Sequence, residues 1–338
     1  MSLIKFRTLR IRKLLHIIKS KPVETSFVIS LILATLLPLR CPTCRGYDYL
    51  NLKEIKDDLQ MCLVTRRPPD FKLCPMLSPE LAPFKHVNVK LNATFLKEMP
   101  EKLEIQSGGR WFPKHCSSWQ RVAIIVPYRN REMHLKIFLQ NMHPFLQAQK
   151  LDYGIFIIEQ SDKHDFNRGK LLNIGYVEAS KEPDFCCFIF HDVDLLPESP
   201  QHIYGCSEEP RHMCSALDIF RYVLPYPELF GGVTAFTKEQ FTTVNGYSNE
   251  YFGWGAEDDD LYDRLNVKQL KVRRWAPEIS RYKMLFHSKE VPNPDRFNLL
   301  KKGKQRIDTD GLSSLHYKIL KTELLPLYTR ILVDVKPE

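Results

Sequence analysis

The chain has 338 residues, 43% hydrophobic and 26% charged, and its 49 Lys and Arg against 40 Asp and Glu give a formal charge of +9. That composition excludes disorder over most of the length. The charge is local: Lys5, Arg7, Arg10, Arg12, Lys13, Lys19 and Lys21 put +7 of the +9 in the first 21 residues, where no acid stands. A nucleic-acid binder of this charge spreads its basic residues over a face, so no nucleic-acid partner is expected.

Taken in order, the basic stretch is followed by Ser26-Phe-Val-Ile-Ser-Leu-Ile-Leu-Ala-Thr-Leu-Leu-Pro-Leu39, an uncharged and mostly aliphatic run. It is shorter than the ~20 residues a membrane-spanning helix usually needs. A cleaved secretory signal is the alternative, but no small-x-small site follows; Pro38, Leu39, Arg40 and Cys41 come next. Positive charge stays on the cytoplasmic side. The reading is therefore a cytoplasmic tail (1–22), a transmembrane signal anchor (23–40), a lumenal stem (41–72) and a globular domain (73–338). A short span suits the thinner membranes of the early secretory pathway. Asn92-Ala-Thr94 is an N-glycosylation sequon, as a lumenal chain would use. Nine cysteines (41, 44, 62, 74, 116, 186, 187, 206 and 214) fit an oxidising compartment, and their odd number leaves at least one unpaired within a monomer. Cys41 and Cys44, beside the membrane, permit a homodimer or lipid attachment. From Phe71 to Gln120 scattered prolines suggest an irregular covering segment.

The pattern then tightens. Arg121-Val-Ala-Ile-Ile-Val-Pro127 predicts a buried strand, Glu132–Lys150 a helix, Tyr153–Glu159 a second strand, Phe166–Ser180 a helix and Asp184–His191 a third strand. That alternation predicts an α/β fold with a parallel sheet, and ligands bind beyond the carboxyl ends of such strands. Arg129 and Arg131 end the first strand, and Asp192-Val-Asp194 ends the third. Paired carboxylates suit a divalent cation on a diphosphate, and arginines suit the phosphates. Asp-x-Asp alone is more often a surface turn; the strand end and the two arginines are what raise it. Gly253-Trp-Gly-Ala-Glu-Asp-Asp-Asp260 reads as the acidic start of a helix. Crowded carboxylates raise one another's pKa, which turns one into a usable base, and Trp254 offers a flat face to a sugar. Met284 and His287, three residues apart, read by themselves as core packing and a satisfied histidine rather than a metal site.

Together these segments resemble the β1,4-galactosyltransferase family, glycosyltransferase family 7, from about Cys74 to Val335. The anchors are Val126–Arg131, Phe166–Gly175, Asp192–Pro197, Pro210-Arg-His212, Phe230–Ala235, Gly253–Asp260, Met284–His287 and Asp310-Gly-Leu312. The resemblance implies a GT-A fold (a Rossmann-like mixed sheet with flanking helices) and an inverting, Mn²⁺-dependent transferase in the Golgi membrane, single-pass type II. It implies Asp194, Met284 and His287 as metal ligands and Asp258 as catalytic base. It places Pro127, Arg129, Arg131, Phe166, Arg168, Asp192, Val193, Trp254 and Leu229 at the nucleotide sugar. Tyr226, Gly255, Glu257, Asp259, Arg296 and Phe297 fall at a GlcNAc-terminated acceptor. It also implies disulfides Cys74–Cys116 and Cys187–Cys206, with Cys41, Cys44, Cys62, Cys186 and Cys214 left open. Leu229 stands where vertebrate galactosyltransferases of the family carry Tyr, which implies room for an N-acetyl group. The implied donor is UDP-GalNAc, as in invertebrate members, with UDP-Gal the alternative. Ile219 replaces a phosphate-side Lys, Ala256 replaces a Gly, and Tyr128 replaces a Phe.

Overall fold

The structure, a computed structural model, describes residues 26, 30, 47, 49–51, 53–62, 71–76, 87–161, 164–182, 185–288 and 290–336. Apart from Ser26 and Ser30, the expected anchor lies outside the described residues, among which no helix is long and apolar enough to cross a membrane. The chain divides into two compact units, Met1–Tyr47 and Asp48–Glu338, and the elements below belong to the second.

The first part contains β1 (Tyr49–Leu50), α1 (Ile55–Asp58), α2 (Ala93–Lys102), β2 (Arg110–Trp111), β3 (Arg121–Tyr128), α3 (Glu132–Ala148), β4 (Asp152–Gln160), α4 (Arg168–Ala179) and β5 (Cys187–His191). There follow β6 (Leu195–Pro197), β7 (Arg211–His212), β8 (Ala216–Leu217), β9 (Val233–Thr237), α5 (Lys238–Thr243) and α6 (Glu257–Val267). The chain ends with β10 (Arg274–Trp275), β11 (Arg281–Met284), α7 (Arg296–Arg306), β12 (Lys318–Leu324) and β13 (Thr329–Asp334).

The main sheet runs β12-β13-β4-β3-β5-β9-β7, and β2 pairs the start of β4. β13, β4, β3 and β5 are parallel, β12 is antiparallel to β13, and β9 runs antiparallel to both its neighbours, β5 and β7. All eight residues of β3 are buried because both faces of the sheet are covered. Val122, Ile124 and Val126 share a core with Phe138, Met142 and Leu146 of α3. Ala123 and Ile125 share the other with Leu171, Leu172 and Ile174 of α4. From β3 the chain crosses to β4 on one side and then to β5 on the other. The crevice this leaves beyond the carboxyl end of β3 is where a ligand fits.

Two expectations are corrected. The covering segment before β3 contains α2, whose N-cap Asn92 accepts from the Phe95 amide at 3.0 Å, and whose Phe95, Leu96 and Met99 pack on the core. Asn92 is exposed, and its cap uses Oδ1 while a glycan attaches through the amide nitrogen. The stem expected over 41–72 is, from Tyr49 to Cys62, part of the globular unit. Ile55 is fully buried with Ile203, Trp275 and Ile279, and Cys62 is disulfide-bonded to Cys186. A linker has no such core to join. The implied pairs Cys74–Cys116 and Cys187–Cys206 are both formed, and Cys214 is a buried free thiol.

Gly175 marks the closest approach of α4 to the sheet: a Cβ there would meet Ile125 and come within 2.8 Å of Ile158. Replacement Gly175→Ala is predicted to destabilise the domain by about 1–3 kcal/mol through overpacking, read by urea unfolding. An unchanged midpoint would contradict this packing.

Candidate functional site

β5 delivers the first cluster. Val193 is buried, and the flanking carboxylates go to different partners. Asp192 Oδ1 accepts from Arg168 Nε at 2.6 Å, and Arg168 Nη2 donates to the Gly232 carbonyl at 3.3 Å. Asp194 Oδ2 lies 2.9 Å from His287 Nε2, and the Asp194 carbonyl accepts from the Leu285 amide at 2.7 Å. Behind them His191, Tyr204 and Tyr282 form a buried chain of hydrogen bonds, each 2.8 Å long. Burial pushes the His191 imidazole down to about 3, so it is neutral.

The chemistry of the Asp194–His287 pair suits a cation. His287 Nδ1 lies 2.7 Å from the Ser288 carbonyl, which can only accept, so Nδ1 carries the proton and Nε2 presents a lone pair. Two electron-pair donors 2.9 Å apart need a proton or a cation between them. Burial, and then the neighbouring Asp192, raise the Asp194 carboxyl to about 6, with His287 opposing. Met284 sits opposite Leu195 in the β11–β6 register, one residue beyond Asp194, and its amide donates to Asp218 Oδ1 at 2.9 Å. Among the described residues no three His, Cys, Asp or Glu cluster for a metal. A thioether is the remaining donor of this set, and carboxylate, imidazole and thioether together suit Mn²⁺ better than Mg²⁺ or Ca²⁺.

Several of the residues expected at the nucleotide sugar gather at the ends of β3 and β4. Pro127 is buried opposite Ile158. Arg129 donates to the His164 carbonyl at 2.6 Å and lies 5.3 Å from the Phe166 ring centroid. Arg131, at the head of α3, pairs with Glu290 at 2.5 Å.

α6 supplies the second cluster, and its four leading acids are sorted by their partners. Glu257 lies 3.5 Å from Arg168. Asp259 Oδ1 accepts from the Tyr226 hydroxyl at 3.1 Å. Asp260 is buried and structural, accepting from Arg264 at 2.6 Å and from Tyr251 at 3.0 Å. Among the described residues Asp258 has no such side-chain partner, and it lies against the Gly231 backbone, where an added Cβ would come within 2.6 Å of its Oδ2. Burial, then Glu257 and Asp259, raise the Asp258 carboxyl to about 8, against the opposing pull of Arg168. The helix N-terminus favours these anions. Ala256 takes the N-cap with φ of +70°, a left-handed conformation that favours the glycine it replaces.

Two loops meet over the cleft. The Trp254 carbonyl accepts from Asn293 at 3.0 Å, and Gly253 donates to the Phe166 carbonyl at 2.8 Å. Gly255, at φ +109°, leaves room for Arg296, whose guanidinium lies 4.4 Å from the Phe297 ring centroid. Trp254 is 58% and Phe286 94% exposed, so both rings stand ready to cover something. Ile219 is exposed on a short turn beside Asp218, and Leu229 is half-buried two residues before Gly231. Sequence reasoning missed Asp218 and Arg274. The Arg274 guanidinium is buried and donates to the Pro227 and Leu229 carbonyls at 2.8 and 2.9 Å. Bonds to backbone leave no residue-type signature; only the neighbouring Pro210-Arg-His212 motif hinted at them.

A carboxyl raised in the fold gives stability that is present below its unfolded pKa near 4 and is lost as pH rises toward about 8. Asp258→Asn is therefore predicted to raise the thermal midpoint of the protein at pH 7.5 and to flatten its decline between pH 4 and 8. A lowered midpoint at pH 7.5 would contradict the tension in this cluster.

Residues 74–207 match the family described as the N-terminal region of glycosyl transferase group 7, and residues 211–288 match the one described as the N-terminal domain of galactosyltransferase. The chain is 47% identical to human β-1,4-galactosyltransferase 4 over 264 residues, 77% of this chain and 76% of that protein. It is 43% identical to human β-1,4-galactosyltransferase 1 over 265 residues, 78% of this chain and 67% of that one. Among solved structures, the catalytic domain of Drosophila β1,4-galactosyltransferase 7 with xylobiose superposes with a TM-score of 0.56 at 29% identity, covering 65% of this chain and 95% of that one. A mutant of that enzyme, solved with manganese, UDP-Gal and xylobiose, gives a TM-score of 0.55 at 28% identity, with the same coverage. The fold is GT-A, and the chain belongs to the β1,4-galactosyltransferase family of glycosyltransferase group 7, a family of hexosyltransferases.

Proposed function

We propose that the chain moves GalNAc from UDP-GalNAc to the 4-hydroxyl of a terminal β-GlcNAc, with inversion at the anomeric carbon. The observation that carries the donor choice is Leu229, two residues before the glycine on which Asp258 rests. An aliphatic side chain there leaves space for a 2-acetamido group that a tyrosine would fill. The names of the relatives favour a second reading, UDP-Gal as donor on the same acceptor.

Arg129, Arg131 and Arg168 offer forked donors to the diphosphate, and Phe166, Asp192 and Val193 line the nucleotide side. Asp194, Met284 and His287 would hold Mn²⁺, which when bound supplies positive charge to the departing diphosphate. Tyr226, Glu257, Asp259, Arg296 and Phe297 surround the acceptor, with Gly255 giving backbone access. Asp258 takes the proton of the acceptor hydroxyl as its oxygen bonds to the anomeric carbon and the bond to UDP breaks. Trp254 and the 285–302 segment cover the pair and exclude water. We further assign the chain to the Golgi membrane as a single-pass type II protein with this domain lumenal, on the basic N-terminal flank and the exposed sequon. Cys41 and Cys44 would allow a homodimer.

The test is donor competition on the purified protein with manganese and a GlcNAc acceptor. A higher kcat/KM for UDP-GalNAc is expected, reversed by Leu229→Tyr, with Asp258→Asn silent on both donors. Equal or better use of UDP-Gal by the unmodified protein would establish the second reading.

A further inference from the structure

The wall that carries Leu229 is held by the buried Phe230 ring and by its backbone. Two of its backbone carbonyls, those of Pro227 and Leu229, are gathered by one buried guanidinium. Arg274 Nη2 donates to Pro227 at 2.8 Å and to Leu229 at 2.9 Å, and Arg274 Nε donates to His212 Nδ1 at 3.1 Å. An arginine nitrogen only donates, so Nδ1 must be bare and the His212 proton lies on Nε2. That nitrogen is 3.1 Å from the Gly231 carbonyl, which therefore accepts from it. Cys214 Sγ donates to the same carbonyl at 3.1 Å and accepts from the Val233 amide at 3.0 Å. Alternate carbonyls, 227, 229 and 231, are thus set by one rigid fork, two directly and one through an imidazole. The last of the three belongs to the glycine against which Asp258 packs.

Arg274 is fixed from the opposite side by the segment expected to be a linker. β1 pairs with β10 in parallel register, Tyr49 with Arg274 and Leu50 with Trp275. The Leu50 carbonyl accepts from Ala276 at 2.8 Å. Asp58 accepts from Trp275 Nε1 at 3.0 Å and pairs with Arg273 at 2.9 Å, so both neighbours of Arg274 are bound to one carboxylate. Arg211, stacked 3.4 Å over the Trp275 ring, completes the support. Cys62–Cys186 closes the strap.

We infer that Arg274 is a positioning residue for donor choice: braced by the Tyr49–Cys62 strap, it sets the backbone from Pro227 to Gly231 and so the space that Leu229 leaves for the sugar's 2-substituent. This rests on the donor reading of Leu229. A planar fork reaching two carbonyls and a ring nitrogen is a task a lysine ammonium cannot reproduce. Loss of the fork frees the wall to shift, which alters the fit of a 2-acetamido group more than that of a hydroxyl.

The test uses the full chain with manganese, a GlcNAc acceptor and both donors, comparing wild type with Arg274→Met and Arg274→Lys. Arg274→Met is expected to change the UDP-GalNAc to UDP-Gal ratio of kcat/KM by about tenfold or more, carried mainly by donor KM, with Arg274→Lys between. A filler role in the core would instead lower kcat for both donors alike and leave the ratio and donor KM unmoved. Should Arg274→Met fail to fold, Arg274→Lys and Trp275→Phe, which removes the bond to Asp58 and part of the ring under Arg211, give the same readout in milder form. A wild-type ratio near one would overturn the donor reading of Leu229. A wild-type preference that stays within twofold in every folded variant would overturn the role of Arg274.

Discussion

Five carboxylates must share one cleft, and Arg168 is the cation that lets them. Its guanidinium binds Asp192 at 2.6 Å and lies 3.5 Å from Glu257, between the pair of Asp192 and Asp194 after β5 and the run of Glu257, Asp258 and Asp259 that opens α6. Burial strengthens repulsion among like charges, and without a nearby cation such groups relieve it by taking up protons. Arg168 is the first residue of α4, so its place depends on how that helix begins. The N-cap Asn167 is fully buried; its side chain accepts from Lys170 and donates to the Asn249 carbonyl at 2.7 Å. Asn249 in turn donates to Asp310 at 2.8 Å, and the Asp310 carbonyl accepts from Arg264 of α6 at 2.7 Å. One buried polar network therefore carries both helix starts, the one bearing Arg168 and the one bearing the acids.

The arrangement trades stability for chemistry. A helix N-terminus welcomes some negative charge, but four acids in the first turn exceed that need. Asp260 is neutralised by Arg264 and Tyr251, Asp259 leans on Tyr226, and Glu257 leans on Arg168. The remaining tension falls on Asp258, which rests on a glycine carrying no side chain to soften it. A carboxylate held in this way is a stronger base than an exposed one.

Much of this was legible in the residue order. The β-branched run at 121–127 and the apolar strands after it announce a sheet covered on both faces, and the paired acids fall at strand and helix ends as the pattern requires. What escaped is long-range. Tyr49–Cys62 interleaves charged and apolar residues without a clear period, yet Ile55 finds Trp275 and Asp58 finds Trp275 and Ser207 far along the chain. The partner of Cys62 is Cys186, beside a second cysteine that pairs elsewhere, and spacing alone does not choose between them. α2 was hidden by Pro100 inside it, although Asn92 was in view for another reason. Arg274 acts on backbone carbonyls, which every residue has. Met284 and His287 gained meaning from the resemblance, and the structure adds the 2.9 Å approach of His287 to Asp194.

The central claim is that this balance of charges makes Asp258 the base, with a carboxyl raised to about 8. The pH dependence of kcat/KM in the transfer reaction reads it most directly, because it reports ionisations of the free enzyme. The account predicts an activity that climbs tenfold per pH unit below about pH 8 and levels above it, and an acid limb that moves to lower pH in Asp259→Asn. A profile flat from pH 6 to 9, or a limb unmoved by Asp259→Asn, would contradict it.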